Sequence, residues 1–382
     1  MARANNQYSE PRLGAAQSTQ AAAAVAVAAG IPTILWGEPG IGKTAWARSF
    51  SEANGLHLET VIASIRDPTD FSGLPVVCPD GGVAFAPPRW AKTLEEKGGG
   101  LLFLDEISTA PPAVQSALLR VVLDRTVGDL ALPEGVKILA AANPVEAAAG
   151  GWDLTPPLSN RLCHLRWPVD ASGIARGFMA GWPEPEVVVL PSGWDEGVRL
   201  QEAVIGAFLE RFPGHAHGRP GERSLAGGPW PSPRTWEYAA RVLAACSAAG
   251  VSSSIADTLV AGCVGDGPGA EFAAWLEDQE LPDPHEVLAA PDAFTVPDRA
   301  DRAYTLARAV VAIATTEGKT ARSMWTSCWK ALERIGGVRG NDVVVPPAMD
   351  LVACRAYASY AAPEQAASLW GTMRGAGMFG DT

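Results

Sequence analysis

The chain has 382 residues, 47% of them apolar and 19% charged, with a formal net charge of −12. This balance excludes an intrinsically disordered chain and leaves room for two or three domains with a sizeable core. It also disfavours non-specific binding to a nucleic-acid backbone, since no run of Lys and Arg offsets the acidity.

Residues 1–14 are polar and read as a flexible N-terminal arm. Ala15 to Ala29 is Ala-rich and predicts a helix. Ile31 to Trp36 is a short apolar run ending at a glycine, which predicts a buried parallel strand. The whole apolar stretch Ala21 to Trp36 is interrupted by Gly30 and Pro32 and is too short to span a membrane. Read as a secretion signal, its removal would take away that strand, so it is read as part of the fold. The sequence Gly37-Glu38-Pro39-Gly40-Ile41-Gly42-Lys43-Thr44 follows, and a helix is predicted from Lys43 to Glu52.

His57 to Ser64 is a second strand candidate. Apolar runs at Leu74 to Val77 and Val83 to Phe85 flank a Pro-Asp-Gly-Gly turn, which predicts a β-hairpin near 74–86. Leu101 to Leu104 is a fully apolar strand. Val114, Leu118, Val121 and Val122 recur at helical spacing after Pro111-Pro112. Val136 to Ala142 and Leu162 to Trp167 complete the strands. Strands alternating with helices imply an α/β fold with a parallel sheet covered on both faces. After Pro168 helical patterns dominate, with strand signals only at Val187 to Leu190 and Val343 to Val345. The expected organisation is an α/β core over 15–168, an all-α lid over 169–266 and a helical extension over 267–382.

The segment from Gly37 to Thr44 has the Walker A pattern, placed between a strand and a helix as a phosphate loop requires. Glycines let backbone N–H groups curl around phosphates, and the helix N-terminus adds a positive field. Lys43 supplies a charge for β- and γ-phosphates, and Thr44 a hydroxyl for Mg²⁺. Leu101 to Glu106 reads as Walker B, with Asp105 serving the Mg²⁺ shell and Glu106 polarising the attacking water. Asn143 ends another buried strand, where its amide would be aimed at the water and the γ-phosphate. Arg161 precedes the last strand and Arg234 opens a helix. A guanidinium suits a γ-phosphate, and a plain surface arginine is the other reading of each. No Asn-Lys-x-Asp segment is present to read guanine. The six cysteines form no C-x-x-C pair, which fits a reducing, cytoplasmic setting.

In this order the motifs resemble the AAA+ ATPases, and look most like the MoxR group. The matching residues are Gly37 to Thr44, Leu104-Asp105-Glu106-Ile107, Ala141-Ala142-Asn143-Pro144, Asn160-Arg161-Leu162 and Ser232-Pro233-Arg234. The resemblance implies a P-loop AAA+ sheet with a helical lid. It implies ATP and Mg²⁺ bound by the loop through Ala45 together with Asp105. It further implies Asn143 as sensor 1 and Arg234 as sensor 2 within its own subunit. Arg161 is then the arginine finger acting on a neighbour, with Arg120 and Arg125 as rivals. The implied assembly is a homo-oligomeric ring, usually a hexamer, remodelling a protein partner. MoxR relatives often work with von Willebrand A domain proteins. The hairpin would face the pore or the partner, near Arg66, Asp67 and Asp70. A nucleic-acid motor or loader and a regulatory ATP switch are the competing readings.

Overall fold

A computed structural model describes residues 15–144, 152–218, 227–277, 281–316, 321–361, 369 and 371–373. The expected N-terminal arm lies outside these residues. Nine strands are described: β1 (Thr33–Trp36), β2 (Leu58–Ile62), β3 (Leu74–Val77), β4 (Val83–Ala86), β5 (Gly99–Asp105), β6 (Thr126–Val127), β7 (Leu130–Ala131), β8 (Gly135–Ala142) and β9 (Cys163–Arg166). The helices before and among them are α1 (Ala15–Ala28), α2 (Lys43–Ala53), α3 (Thr69–Ser72), α4 (Arg89–Lys97), α5 (Pro112–Leu123) and α6 (Pro156–Ser159). Beyond the last strand come α7 (Ala171–Ala180), α8 (Val198–Arg211), α9 (Pro233–Ala249), α10 (Ser253–Val264), α11 (Asp266–Glu277), α12 (Pro284–Ala289), α13 (Ala300–Ala314), α14 (Arg322–Arg339) and α15 (Asn341–Ala353).

The described residues form two compact units, one over Glu10–Asp195 with Gly214–Ala270, the other over Glu196–Pro213 with Glu271–Thr382. The first holds a five-stranded sheet in the order β2-β5-β8-β1-β9, every pairing parallel. Parallel strands need both faces covered. On one face Leu102, Leu104, Ile138 and Ala140 meet Val114, Leu118 and Val121 of α5. On the other, α1 and α10 lie against β9. Gly262 of α10 lets that helix approach, since a Cβ there would stand 2.5 Å from the His164 carbonyl oxygen. The hairpin β3–β4 is inserted between α3 and α4, as its turn chemistry predicts.

The second unit is helical. Its core runs through Leu200, Leu306, Val310, Trp325, Trp329, Leu332 and Val344. Lys330, Arg334 and Arg339 of α14 hold the preceding strap. Lys330 pairs with Asp292 at 3.0 Å, and the two arginines donate to the carbonyls of Phe294 and Pro297 at 3.0 and 2.7 Å. Helix α8 groups with these C-terminal helices. Two strand expectations are corrected. Val187 to Leu190 forms no strand, and Val343 to Val345 lies inside α15. Burial of Val343 and Val344 in a helical core overrides their β-branched preference. Among the described residues no helix is long and apolar enough to cross a membrane.

Candidate functional site

Three adjacent strands, β5, β8 and β1, bring the predicted site together at their carboxyl ends, where ligands bind in open α/β sheets. The glycine loop leaves β1. Gly40 and Gly42 take positive φ of 79° and 94°, a conformation other residues rarely adopt. Gly37 packs so closely that a Cβ would stand 2.7 Å from the Trp167 carbonyl oxygen. Lys43 opens α2 and turns its ammonium back into the loop. It donates to the carbonyls of Gly37 and Glu38 at 2.5 and 2.9 Å and to Asn143 Oδ1 at 3.0 Å. Burial lowers the Lys43 pKa, against the opposing pull of Asp105 and Glu38. Among the described residues this buried cation forms no ion pair within 4.0 Å and meets three neutral oxygens, the environment of a charge arranged for an anion.

Thr44 Oγ1 donates to Asp105 Oδ2 at 2.8 Å, across from β1 to β5. Hydroxyl and carboxylate oxygens side by side suit Mg²⁺, which takes few protein ligands and completes its shell with water and phosphate. No group of three or more His, Cys, Asp or Glu is arranged for a metal among the described residues, so a cation here would rest on these two and a nucleotide.

Glu106 follows with φ of 56°, one of two non-glycine residues in the left-handed region among those described. That conformation costs roughly 1–2 kcal/mol. In this conformation Ser64 Oγ donates to Glu106 Oε2 at 2.5 Å. Sequence reading missed Ser64, a lone hydroxyl after β2. It also missed Ser108, which is buried and stitches β5 to β8. Its hydroxyl donates to the Asn143 carbonyl at 3.1 Å and accepts from the Asn143 N–H at 3.1 Å.

Arg161 and Arg234 are placed elsewhere. β9 runs parallel to β1 with Thr33 opposite Cys163 and Trp36 opposite Arg166. The loop follows Trp36 while Arg161 precedes Cys163, so the two lie at opposite ends of β1 and β9, separated along the strands by about 10 Å at ~3.3 Å per residue. Arg234 is on the Arg161 side, its Nη1 3.4 Å from Asn160 Oδ1. Asn160 is anchored by Ser232 Oγ at 2.8 Å and by the Trp230 carbonyl at 3.2 Å. The pKa of Arg161 is lowered by burial and by the charge of Arg234. Arg234 thus meets Asn160 beside Arg161. Arg125, a rival finger, has its guanidinium taken up by the carbonyls of Pro133, Glu134 and Val136.

The buried His164 lies behind this cluster. Trp36 Nε1 can only donate, and does so to His164 Nδ1 at 2.9 Å, so the ring proton sits on Nε2 and goes to the Ser159 carbonyl at 2.9 Å. Desolvation lowers its pKa to about 4, against the opposing hydrogen bond to Ser159. The unfolded chain then binds more protons between that value and the ordinary 6.5. Stability is full above pH 6.5 and is lost as pH falls toward 4, by on the order of 3 kcal/mol. Melting temperature against pH should show this slope in the parent and lose most of it in His164→Gln.

Residues 32–162 match the family model of the AAA domain, dynein-related subfamily. Over these residues the chain has a domain of the AAA kind. The AAA+ match covers the sheet from β1 to the residue before β9, and so includes the glycine loop, Asp105, Glu106, Asn143 and Arg161. Among solved structures, a candidate ATPase from Cytophaga hutchinsonii is similar at 19% identity and a TM-score of 0.43, over 65% of this chain and 81% of that one. No curated protein sequence matches the chain.

Proposed function

We propose that this chain hydrolyses ATP at the Gly37–Thr44 loop and that the hydrolysing form is a ring of identical subunits acting on a protein partner, in the manner of the MoxR-like proteins its motifs resemble. The observation that carries the reading is the buried Lys43 ammonium, held among neutral oxygens beside the Thr44–Asp105 pair. A γ-phosphate within reach of Lys43 and Asn143 receives their positive charge and amide dipole. Thr44 and Asp105 would hold Mg²⁺, which would neutralise phosphate charge. Glu106, once turned from Ser64, takes a proton from the attacking water as the bond to the β-phosphate breaks. Arg161 and Arg234, paired at the far end of the sheet, are read as serving the nucleotide of a neighbouring subunit. Such a head-to-tail contact closes into a ring when its rotation permits. The exposed hairpin and the net charge of −12 favour a protein over a nucleic acid as partner.

Phosphate release per subunit should rise with protein concentration and reach a plateau. A rate that stays flat from dilute to concentrated protein would sink the ring, and a rate of zero throughout would sink the hydrolase.

A further inference from the structure

The hairpin β3–β4 carries apolar side chains in solvent: Leu74, Val76, Val77, Val83 and Phe85 are all exposed. A two-stranded hairpin is marginal on its own, so something other than core packing orients this one. That something is a polar clasp to the turn of β6–β7. The Phe85 N–H donates to Asp129 Oδ2 at 2.7 Å, and the Asp129 N–H donates to the Phe85 carbonyl at 3.0 Å. Gly73 and Gly128 let the backbones touch. A Cβ on Gly73 would stand 2.7 Å from Gly128 Cα, and one on Gly128 would stand 2.3 Å from the Phe85 carbonyl oxygen.

Both ends of the clasp lead to the site. Gly73 ends α3, a tight turn in which Ser72 Oγ donates to the Pro68 carbonyl at 3.0 Å. Phe71 of α3 is buried against Trp90. The chain before this turn is the segment bearing Ser64, whose hydroxyl holds Glu106. On the other side, Arg125 at the foot of β6 binds the carbonyls of Pro133 and Val136, where β8 begins. β8 runs directly into Asn143, which meets Lys43.

We propose that Asp129 is a positioning residue coupling the exposed hairpin to the Ser64–Glu106 contact. The placement of the hairpin then governs how firmly Glu106 is held off the water. The proposal rests on the ATPase reading above. Without the clasp, Gly73 and α3 gain freedom and Ser64 holds Glu106 less well, so basal turnover rises.

The test is steady-state ATP turnover by the full chain as wild type, Ser64→Ala, Asp129→Ala, Asp129→Asn and the Ser64→Ala/Asp129→Ala double variant. The expectation is a rise in kcat of about threefold or more for each alanine variant, at unchanged KM. Asp129→Asn keeps an acceptor oxygen and should stay near wild type. The double variant should be no faster than Ser64→Ala, because both changes remove one restraint. A kcat for Asp129→Ala at or below wild type overturns the coupling, and so does a double variant whose gain is the product of the two singles. A wild type with no turnover overturns the ATPase reading itself, a separate outcome from an active wild type indifferent to Asp129.

Discussion

Replacing Glu106 by Gln is expected to cut ATP turnover by about 10²- to 10⁴-fold while ATP binding survives, the range lost with a general base. The substitution suits the site for a local reason. Glutamine has the shape of glutamate and still offers an oxygen to the Ser64 hydroxyl, which donates to Oε2 in the parent. It lacks only the basicity to accept a proton from water. Lys43, Thr44 and Asp105 are untouched, so nucleotide affinity should move by less than about threefold, the scale of effect expected where no contact is lost. Phosphate release and equilibrium binding on the same preparation check both halves. A Glu106→Gln variant that turns over ATP like wild type removes Glu106 from the mechanism.

Arg161→Ala and Arg234→Ala should each lower turnover severely, by about 10³-fold or more for a residue acting as an arginine finger. The informative measurement is a mixture. Lys43→Ala subunits cannot hold nucleotide productively but still carry both arginines. Arg161→Ala subunits have an intact loop and lack the arginine. Mixed, the two inactive proteins should recover activity, since one supplies the loop and the other the guanidinium. Arg234→Ala should behave in the same way, because Arg234 lies with Asn160 at the end of the sheet remote from its own loop. If Arg234 served its own subunit, loop and arginine would have to be in one chain and that mixture would stay inactive.

The parts of the site legible in the sequence are those whose chemistry is local. Gly37 to Thr44 announces itself because strand, glycine turn and helix are contiguous. Asp105, Glu106 and Asn143 each terminate an apolar strand, and period and polarity mark such ends. The hairpin was legible from its turn. Ser64, Ser108 and Asp129 were not, because each is a single polar residue in a short turn with no motif around it. Their roles arise from partners 42, 35 and 44 positions away. The residue Arg234 was legible and its contact with Asn160 was not, since that partner lies 74 positions away. Val343 to Val345 misled for the converse reason: local preference pointed to a strand, and burial in a helical core decided otherwise.

The stitch made by Ser108 has a kinetic consequence. With both backbone groups of Asn143 tied to one hydroxyl of the turn after β5, the strand tips that frame the site cannot part without breaking two part-buried hydrogen bonds. Lys43 is similarly fixed at three points. The exposed Glu106 side chain is left as the site's soft coordinate. Exposed side chains exchange rotamers in picoseconds to nanoseconds. Arming the site is therefore a fast equilibrium between two torsional states, and its population, not its rate, sets how often the chemical step can proceed.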